Sequence, residues 1–204
     1  MRVGIYGGTF DPVHYGHLLL AEQCRELLAL EAVWFLPAAV PPHKQGVEIS
    51  SAEDRVAMLE LALAGQPAFR VERLELNRGG TSYTVDTLGQ LRTLHPAIEP
   101  VLLIGADSLH DLPTWRAPVE ILSLAEVAAV NRGRTAIDLT PIHSRLPASQ
   151  GRIVAIDMPG MDLSATDIRR RVREGKSIRF MLPRGVEEFV WQHALYSGRR
   201  DCGV

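Results

Sequence analysis

The segment Gly7-Gly8-Thr9-Phe10-Asp11-Pro12-Val13-His14-Tyr15-Gly16-His17 joins a short apolar run, residues 3–6, to a stretch with helical periodicity. Its residue types suit anion chemistry. Two adjacent glycines let the main chain turn sharply or come close to a ligand. His14 and His17 stand three apart, so on the first turn of a helix they share a face. The start of such a helix offers main-chain N–H groups and the positive end of its dipole, and two imidazoles add donors to them. The glycines could serve a turn alone and the histidines could be plain surface residues. Two of each in one strand-to-helix connection favours a phosphate site. Zinc fits less well, because no third ligand follows at a sensible spacing.

A second group of candidates lies further along. Ser164 opens a helical stretch, residues 164–174, and can cap it, with Asp167 three residues on completing a variant capping box. The same helix start can present N–H groups to phosphate. Arg169 sits inside that helix and can reach back towards its start, although an arginine on a helix is usually only solvated. Asp107 follows an apolar run at 101–104 and could accept from ribose hydroxyls or cap a short helix at 108–112. Arg132 follows another such run at 127–130. Trp115 stands in a loop bounded by Pro113 and Pro118; its ring could be core or a stacking platform. Two motifs are false leads. No two glycines are separated by one residue, so a dinucleotide fingerprint is absent. Gly175-Lys176-Ser177 mimics the end of a P-loop, but Arg170 stands where its first glycine belongs, and the tripeptide reads as a helix C-terminus.

The elements that must position these residues alternate. Residues 3–6, 33–36, 101–104, 127–130 and 153–156 read as buried strands, and 71 and 74–76 as short strand-like pieces. Residues 18–28, 52–64, 82–94, 164–174 and 185–195 read as helices; Ser50 or Ser51 caps the second and Gly65 stops it. Strands alternating with helices predict right-handed crossovers and an α/β fold, a doubly wound parallel sheet with helices on both faces. Ligands of such sheets bind at the carboxyl ends of the strands. Residues 37–48 and 132–151 read as long loops, and 197–204 as a loose tail after a single domain at 1–196.

Composition removes other classes. The chain has 204 residues, close to one domain at about 150 residues each. With 22 basic and 24 acidic residues the net charge is −2, which gives no electrostatic footprint for nucleic acid or a membrane surface. An anionic ligand must be met by a local pocket. Two cysteines, Cys24 and Cys202, far apart, point to a reducing cytoplasm rather than a disulfide framework. No apolar stretch approaches the ~18 residues of a membrane helix. The oligomeric state stays open between a single copy and a homo-oligomer.

These residues also resemble a known family. The first segment is very like the opening of the nucleotidylyltransferase superfamily with its (H/T)xGH motif, and Leu163-Ser164-Ala165-Thr166-Asp167-Ile168-Arg169 is similar to its ISSTxIR motif, with Ala165 in place of the second serine. Pro41-Pro42-His43-Lys44, Ser82-Tyr83-Thr84-Val85-Asp86-Thr87-Leu88, Ile104-Gly105-Ala106-Asp107-Ser108 and Leu112-Pro113-Thr114-Trp115 narrow the resemblance to the bacterial nicotinate-mononucleotide adenylyltransferases, over roughly residues 1–196. The resemblance implies a Rossmann-like domain that transfers the adenylyl group of ATP to nicotinate mononucleotide. It implies His14, His17 and Arg169 as catalytic residues. It implies ATP contacts at Gly8, Thr9, Phe10, Gly105, Asp107, Ser164 and Thr166, to which topology adds Arg132 at the carboxyl edge of the sheet as a second phosphate candidate. Lys44, Thr84 and Trp115 would contact the mononucleotide, Trp115 by stacking on the pyridine ring. Mg²⁺ is implied as a cofactor carried by the ATP phosphates, with no all-protein metal cage. A pantetheine-phosphate adenylyltransferase or a cytidylyltransferase shares the first motif but not the middle segments together. A non-catalytic nucleotide sensor has no reason to keep His14, His17 and Arg169.

Overall fold

The computed structural model describes residues 1–40, 49–131 and 136–198. Lys44 and Arg132 therefore lie outside the described residues, as does most of the 37–48 loop.

In chain order the elements are β1 (Arg2–Gly8), α1 (Tyr15–Leu27), β2 (Ala32–Pro37), α2 (Ala52–Leu63), β3 (Phe69–Val71), α3 (Leu74–Arg78), α4 (Thr84–Leu94), β4 (Glu99–Gly105), α5 (Ala106–Asp111), α6 (Pro118–Leu124), β5 (Glu126–Asn131), α7 (Thr140–Arg145), β6 (Ile153–Asp157), α8 (Ala165–Arg173) and α9 (Arg184–Gln192). The strands form one sheet in the order β3-β2-β1-β4-β5-β6, and every neighbouring pair is parallel. This is the Rossmann order, and the parallel pairing is what the alternation of elements predicts.

The strands are continuous apolar runs because both faces are covered. Alternate residues point to opposite faces. Val33 and Phe35 of β2, Val101 and Leu103 of β4, and Ala128 and Val130 of β5 pack with Leu20, Met58, Ile168 and Val186 from α1, α2, α8 and α9. Trp34, Leu36, Leu102, Ile104, Val127 and Ala129 pack on the other face with Leu88, Leu109, Ile121 and Ile142 from α4, α5, α6 and α7. Register creates the opening that a ligand needs. β1 stays paired with β2 as far as Gly8 opposite Pro37, but with β4 only as far as Ile5 opposite Leu102. β4 itself continues with β5 to Gly105 opposite Val130. The ends of β1 and β4 thus part at the switch point, where the crossovers run off to opposite faces.

Several elements differ from the sequence reading. β3 ends at Val71, and residues 74–78 are a helical turn, not a strand. The 132–151 stretch is not one long loop, since it holds α7 and a 3₁₀ turn at Pro147–Ser149. A 3₁₀ turn at Leu112–Thr114 precedes Trp115, and α6 begins at Pro118, where the expected loop ends and the sequence reading assigns no element. α9 stops at Gln192, because Ala194 and Tyr196 take left-handed φ values of 49° and 63°. Ser51 caps α2 as expected, its hydroxyl accepting from Asp54 N–H at 3.0 Å.

Candidate active site

The turn after β1 is built around an aromatic ring. Phe10 is 2 % exposed and holds φ at 51°, a left-handed value that costs a non-glycine residue energy. Its ring folds back over Gly8, where a Cβ would lie 2.8 Å from Phe10 Cζ. Only glycine fits there, so the main chain at 7–8 stays bare at the parted strand ends. Phe10 also packs edge-on against Tyr6 and His17, at centroid distances of 5.4 and 5.1 Å. Of the implied ATP contacts, Phe10 can therefore offer only its main chain.

His14 is the N-cap of α1, and His17 lies one turn on. Their rings stack, with centroids 3.8 Å apart and planes 28° apart. The main-chain N–H of His14 donates to His17 Nδ1 at 3.2 Å. An Nδ1 that accepts carries no proton, so the neutral His17 ring has its proton on Nε2. His17 is therefore held as a donor from the outer side of its ring. Gly16 allows the stack, since a Cβ there would come within 3.1 Å of the His14 ring.

The late helix meets this turn directly. Arg169 Nη1 donates to the main-chain oxygen of Asp11 at 2.6 Å, and Nη2 to Thr166 Oγ1 at 3.3 Å. The Cβ built at Gly16 would also lie 3.8 Å from Leu163 Cβ. Ser164 caps α8, accepting from Asp167 N–H at 3.1 Å, but the Asp167 carboxylate turns to Arg170 and does not complete a capping box. His14, His17, Thr166 and Arg169 are thus brought together with the N-terminus of α8. Cationic and N–H donors dominate, which suits a polyphosphate.

A second group gathers on the other side of the switch point. Ser82, Tyr83, Thr84, Thr114, Trp115, Arg116 and Ile121 line a pocket of about 220 Å³. Trp115 is half-buried on its wall. Thr84 is the first residue of α4, and Tyr83 offers that helix no side-chain cap. Arg116 lies over the Tyr83 ring at 4.8 Å and pairs with Asp86 at 3.2 Å. Ser82 ties this wall to the exit of β2, its hydroxyl accepting from Ala39 N–H at 3.0 Å. Gly105 and Asp107 stand at the end of β4 beside the switch point. Gly105, not Asp107, is the N-cap of α5, so Asp107 is exposed in its first turn.

Sequence reasoning missed the supports beneath the first turn. Arg55 of α2 is 1 % exposed, and Asp11 is 2 % exposed. Arg55 donates to three main-chain oxygens: Thr9 at 3.0 Å, Ala38 at 2.8 Å and Ser50 at 3.2 Å. Burial holds its pKa below the ordinary arginine value, and the Asp11 carboxylate opposes that fall. Asp11 accepts from Tyr196 O–H at 2.5 Å and from Ser50 N–H at 3.2 Å. An arginine beside Glu53 and Asp54 reads as a solvated helix residue, so nothing local marks Arg55. Cys24 is buried and its thiol is pushed up to about 12, so it offers no thiolate nucleophile.

Among the described residues, no helix is long and apolar enough to cross a membrane. A family model described as cytidylyltransferase-like matches residues 5–171. A protein of Thermomicrobium roseum named probable nicotinate-nucleotide adenylyltransferase is 47 % identical over 195 residues, which are 96 % of this chain and 91 % of that protein. One of the same name from Thermus thermophilus is 44 % identical, covering 96 % of this chain and 100 % of its own length. Among solved structures, Plasmodium falciparum nicotinic acid mononucleotide adenylyltransferase complexed with NaAD superposes with a TM-score of 0.81 at 18 % identity, over 97 % of this chain and 98 % of that one. That likeness carries the fold. The family match and the 44–47 % identity carry more: the chain belongs to the cytidylyltransferase-like family, and within it to the nicotinate-nucleotide adenylyltransferases.

Proposed function

We propose that this chain transfers the adenylyl group of ATP to nicotinate mononucleotide, releasing pyrophosphate and nicotinate adenine dinucleotide. One observation carries the reading. The Arg169 guanidinium on the Asp11 carbonyl joins the start of α8 to the histidine turn, so both grip one polyphosphate. A phosphate oxygen of the mononucleotide forms a bond to the α-phosphorus of ATP. The bond from that phosphorus to the bridging oxygen breaks, and pyrophosphate leaves with the electron pair. The attacker is already an anion, so neither a base nor a covalent intermediate is required. Catalysis reduces to positioning and charge stabilisation.

His14, His17 and Arg169 are the catalytic residues in this scheme. His17 Nε2–H donates to the α-phosphate as charge develops there. Ser164, Thr166 and the N–H groups opening α8 hold the outer phosphates. Gly8, Thr9 and Phe10 line the ATP path with their main chain, and Gly105 and Asp107 meet a ribose. Arg132 and Lys44 add positive charge to the phosphates of ATP and of the mononucleotide. The donors assembled here suit an anion rather than a cation, so Mg²⁺ would be held by the triphosphate itself and would supply charge neutralisation there. A cytoplasmic enzyme follows from the same reading.

Trp115 and Thr84 select the acceptor. The indole stacks on the pyridine ring, and the uncapped start of α4 answers the nicotinate carboxylate. An amide puts its NH₂ against those donors and fits worse. Mixing the protein with ATP and nicotinate mononucleotide is expected to release pyrophosphate, and faster than with the amide analogue. No release with the acid, or faster turnover of a pantetheine phosphate, would reject the assignment. Trp115→Ala is expected to raise KM for the mononucleotide roughly 5- to 150-fold, the range of one stacked base at about 1–3 kcal/mol. KM for ATP is expected to stay within about twofold. Equal rises for both substrates would make Trp115 a structural residue.

A further inference from the structure

We infer that Tyr196 is a positioning residue for the transfer: its hydroxyl fixes Asp11 so that the Asp11 carbonyl can aim Arg169 at the phosphates. The inference rests on the role given to Arg169 above. Tyr196 lies 185 positions from Asp11 and belongs to neither phosphate motif, yet its O–H donates to Asp11 Oδ1 at 2.5 Å. The other carboxylate oxygen accepts from Ser50 N–H at 3.2 Å, and the main-chain oxygen of the same residue accepts from Arg169 Nη1 at 2.6 Å. Asp11 is thus held from three directions, by the residues before α2, by α8 and by the segment after α9. With 2 % exposure it has little water to replace a lost partner.

The segment after α9 is shaped for this contact. Ala194 and Tyr196 both take left-handed φ values, 49° and 63°, without being glycine. Leu195 N–H returns to Val190 O at 3.0 Å, and this winds the chain back under the turn that follows β1. Such strain in a terminal segment persists only where the surrounding contacts hold it, and the phenol–carboxylate bond is the contact at its end. Burial, and then the neighbouring Asp11 carboxylate, push the Tyr196 pKa far above the ordinary phenol value. The hydroxyl therefore remains a donor throughout the working pH range. Arg169 has one donor on Thr166, a residue of its own helix, and one on Asp11. The Asp11 carbonyl is thus its only hydrogen-bond acceptor outside α8 among the described residues, and the orientation of that carbonyl sets where the guanidinium points.

The test is a double-mutant cycle read by pyrophosphate release. Tyr196→Phe keeps the ring and deletes the hydroxyl. It is expected to lower kcat about tenfold and to weaken ATP binding in calorimetry, with KM for the mononucleotide unchanged. In an Arg169→Ala background the same change is expected to alter kcat less than about twofold, because the residue it positions is already gone. A similar fractional loss in both backgrounds would overturn the inference, leaving Tyr196 a stability contact, and so would an unchanged kcat in the single variant. Should Tyr196→Phe not fold, Asp11→Asn carries the cycle, since it keeps the side-chain shape and weakens the same bond. A wild-type chain that releases no pyrophosphate from ATP and nicotinate mononucleotide rejects the reaction instead. The positioning is then judged by whether Tyr196→Phe weakens ATP binding.

Discussion

Replacing His17 by alanine is expected to lower kcat at least ~10²-fold, the loss seen when one preorganised donor is taken from a developing oxyanion. That factor corresponds to about 2.7 kcal/mol of transition-state stabilisation. The size follows from how the ring is held. His17 Nδ1 accepts the His14 N–H, the ring face stacks on His14, and its edge meets Phe10. The imidazole therefore reaches the phosphate already oriented and in the donor tautomer, with no reorganisation at the moment of reaction. Alanine removes the donor and admits water, which must be oriented afresh in each turnover. Its structural cost is small, because His17 is only half-buried. The measurement is steady-state pyrophosphate release beside a thermal melt. A folded variant that loses less than threefold would remove His17 from the mechanism. His14→Ala is a less clean probe, since His14 is 2 % exposed and caps α1.

The histidine turn was legible in the sequence because its chemistry is local. Glycines, an N-terminal helix turn and imidazoles three apart specify a donor array with no knowledge of the rest of the chain. The central strands were legible for a similar reason. Residues such as Val101 to Ile104 are buried on both faces, so they form unbroken apolar runs. Failures came where an element is short or decided by a distant partner. Leu74, Glu75 and Leu76 look like a strand fragment, yet Glu75 accepts from Thr87 O–H at 2.8 Å across to α4, and this pairing fits a helical turn. The sequence offers Asp107 as a cap, but Gly105 takes the extended conformation that opens α5, two residues earlier. Arg55 and Tyr196 were missed altogether. Each acts on Asp11 or Thr9 from more than 40 positions away, and an arginine on an amphipathic helix or a tyrosine near a terminus has an ordinary reading in its own neighbourhood.

Arg55 also sets the largest expected effect on stability. Arg55→Met keeps the length of the side chain and much of its apolar stem, so it isolates the guanidinium. Two opposing effects must be compared. Removing a buried charge recovers its desolvation cost, and exchanging whole buried ion pairs for apolar residues is sometimes stabilising. Here the acceptors are the main-chain oxygens of Thr9, Ala38 and Ser50, which no substitution at position 55 removes. Those of Ala38 and Ser50 would be left buried without their donor and that of Thr9 partly so, and the Asp11 carboxylate would lose a buried cation that interacts with it. The penalty for stranding such groups outweighs the recovered solvation. The net loss is expected to be about 3–5 kcal/mol, as for breaking a buried pair from one side. At about 2–4 °C per kcal/mol for a chain of this size, Tm should fall by roughly 6–20 °C. Arg55→Lys should lie between, because a single ammonium cannot span three carbonyls that a planar fork reaches together. Activity should fall as well, since Thr9 would no longer be tied to the exit of β2. Differential scanning calorimetry decides the matter. A Tm within about 2 °C of wild type for Arg55→Met would mean that water satisfies these carbonyls, and that the turn after β1 is held by Phe10 and Asp11 alone.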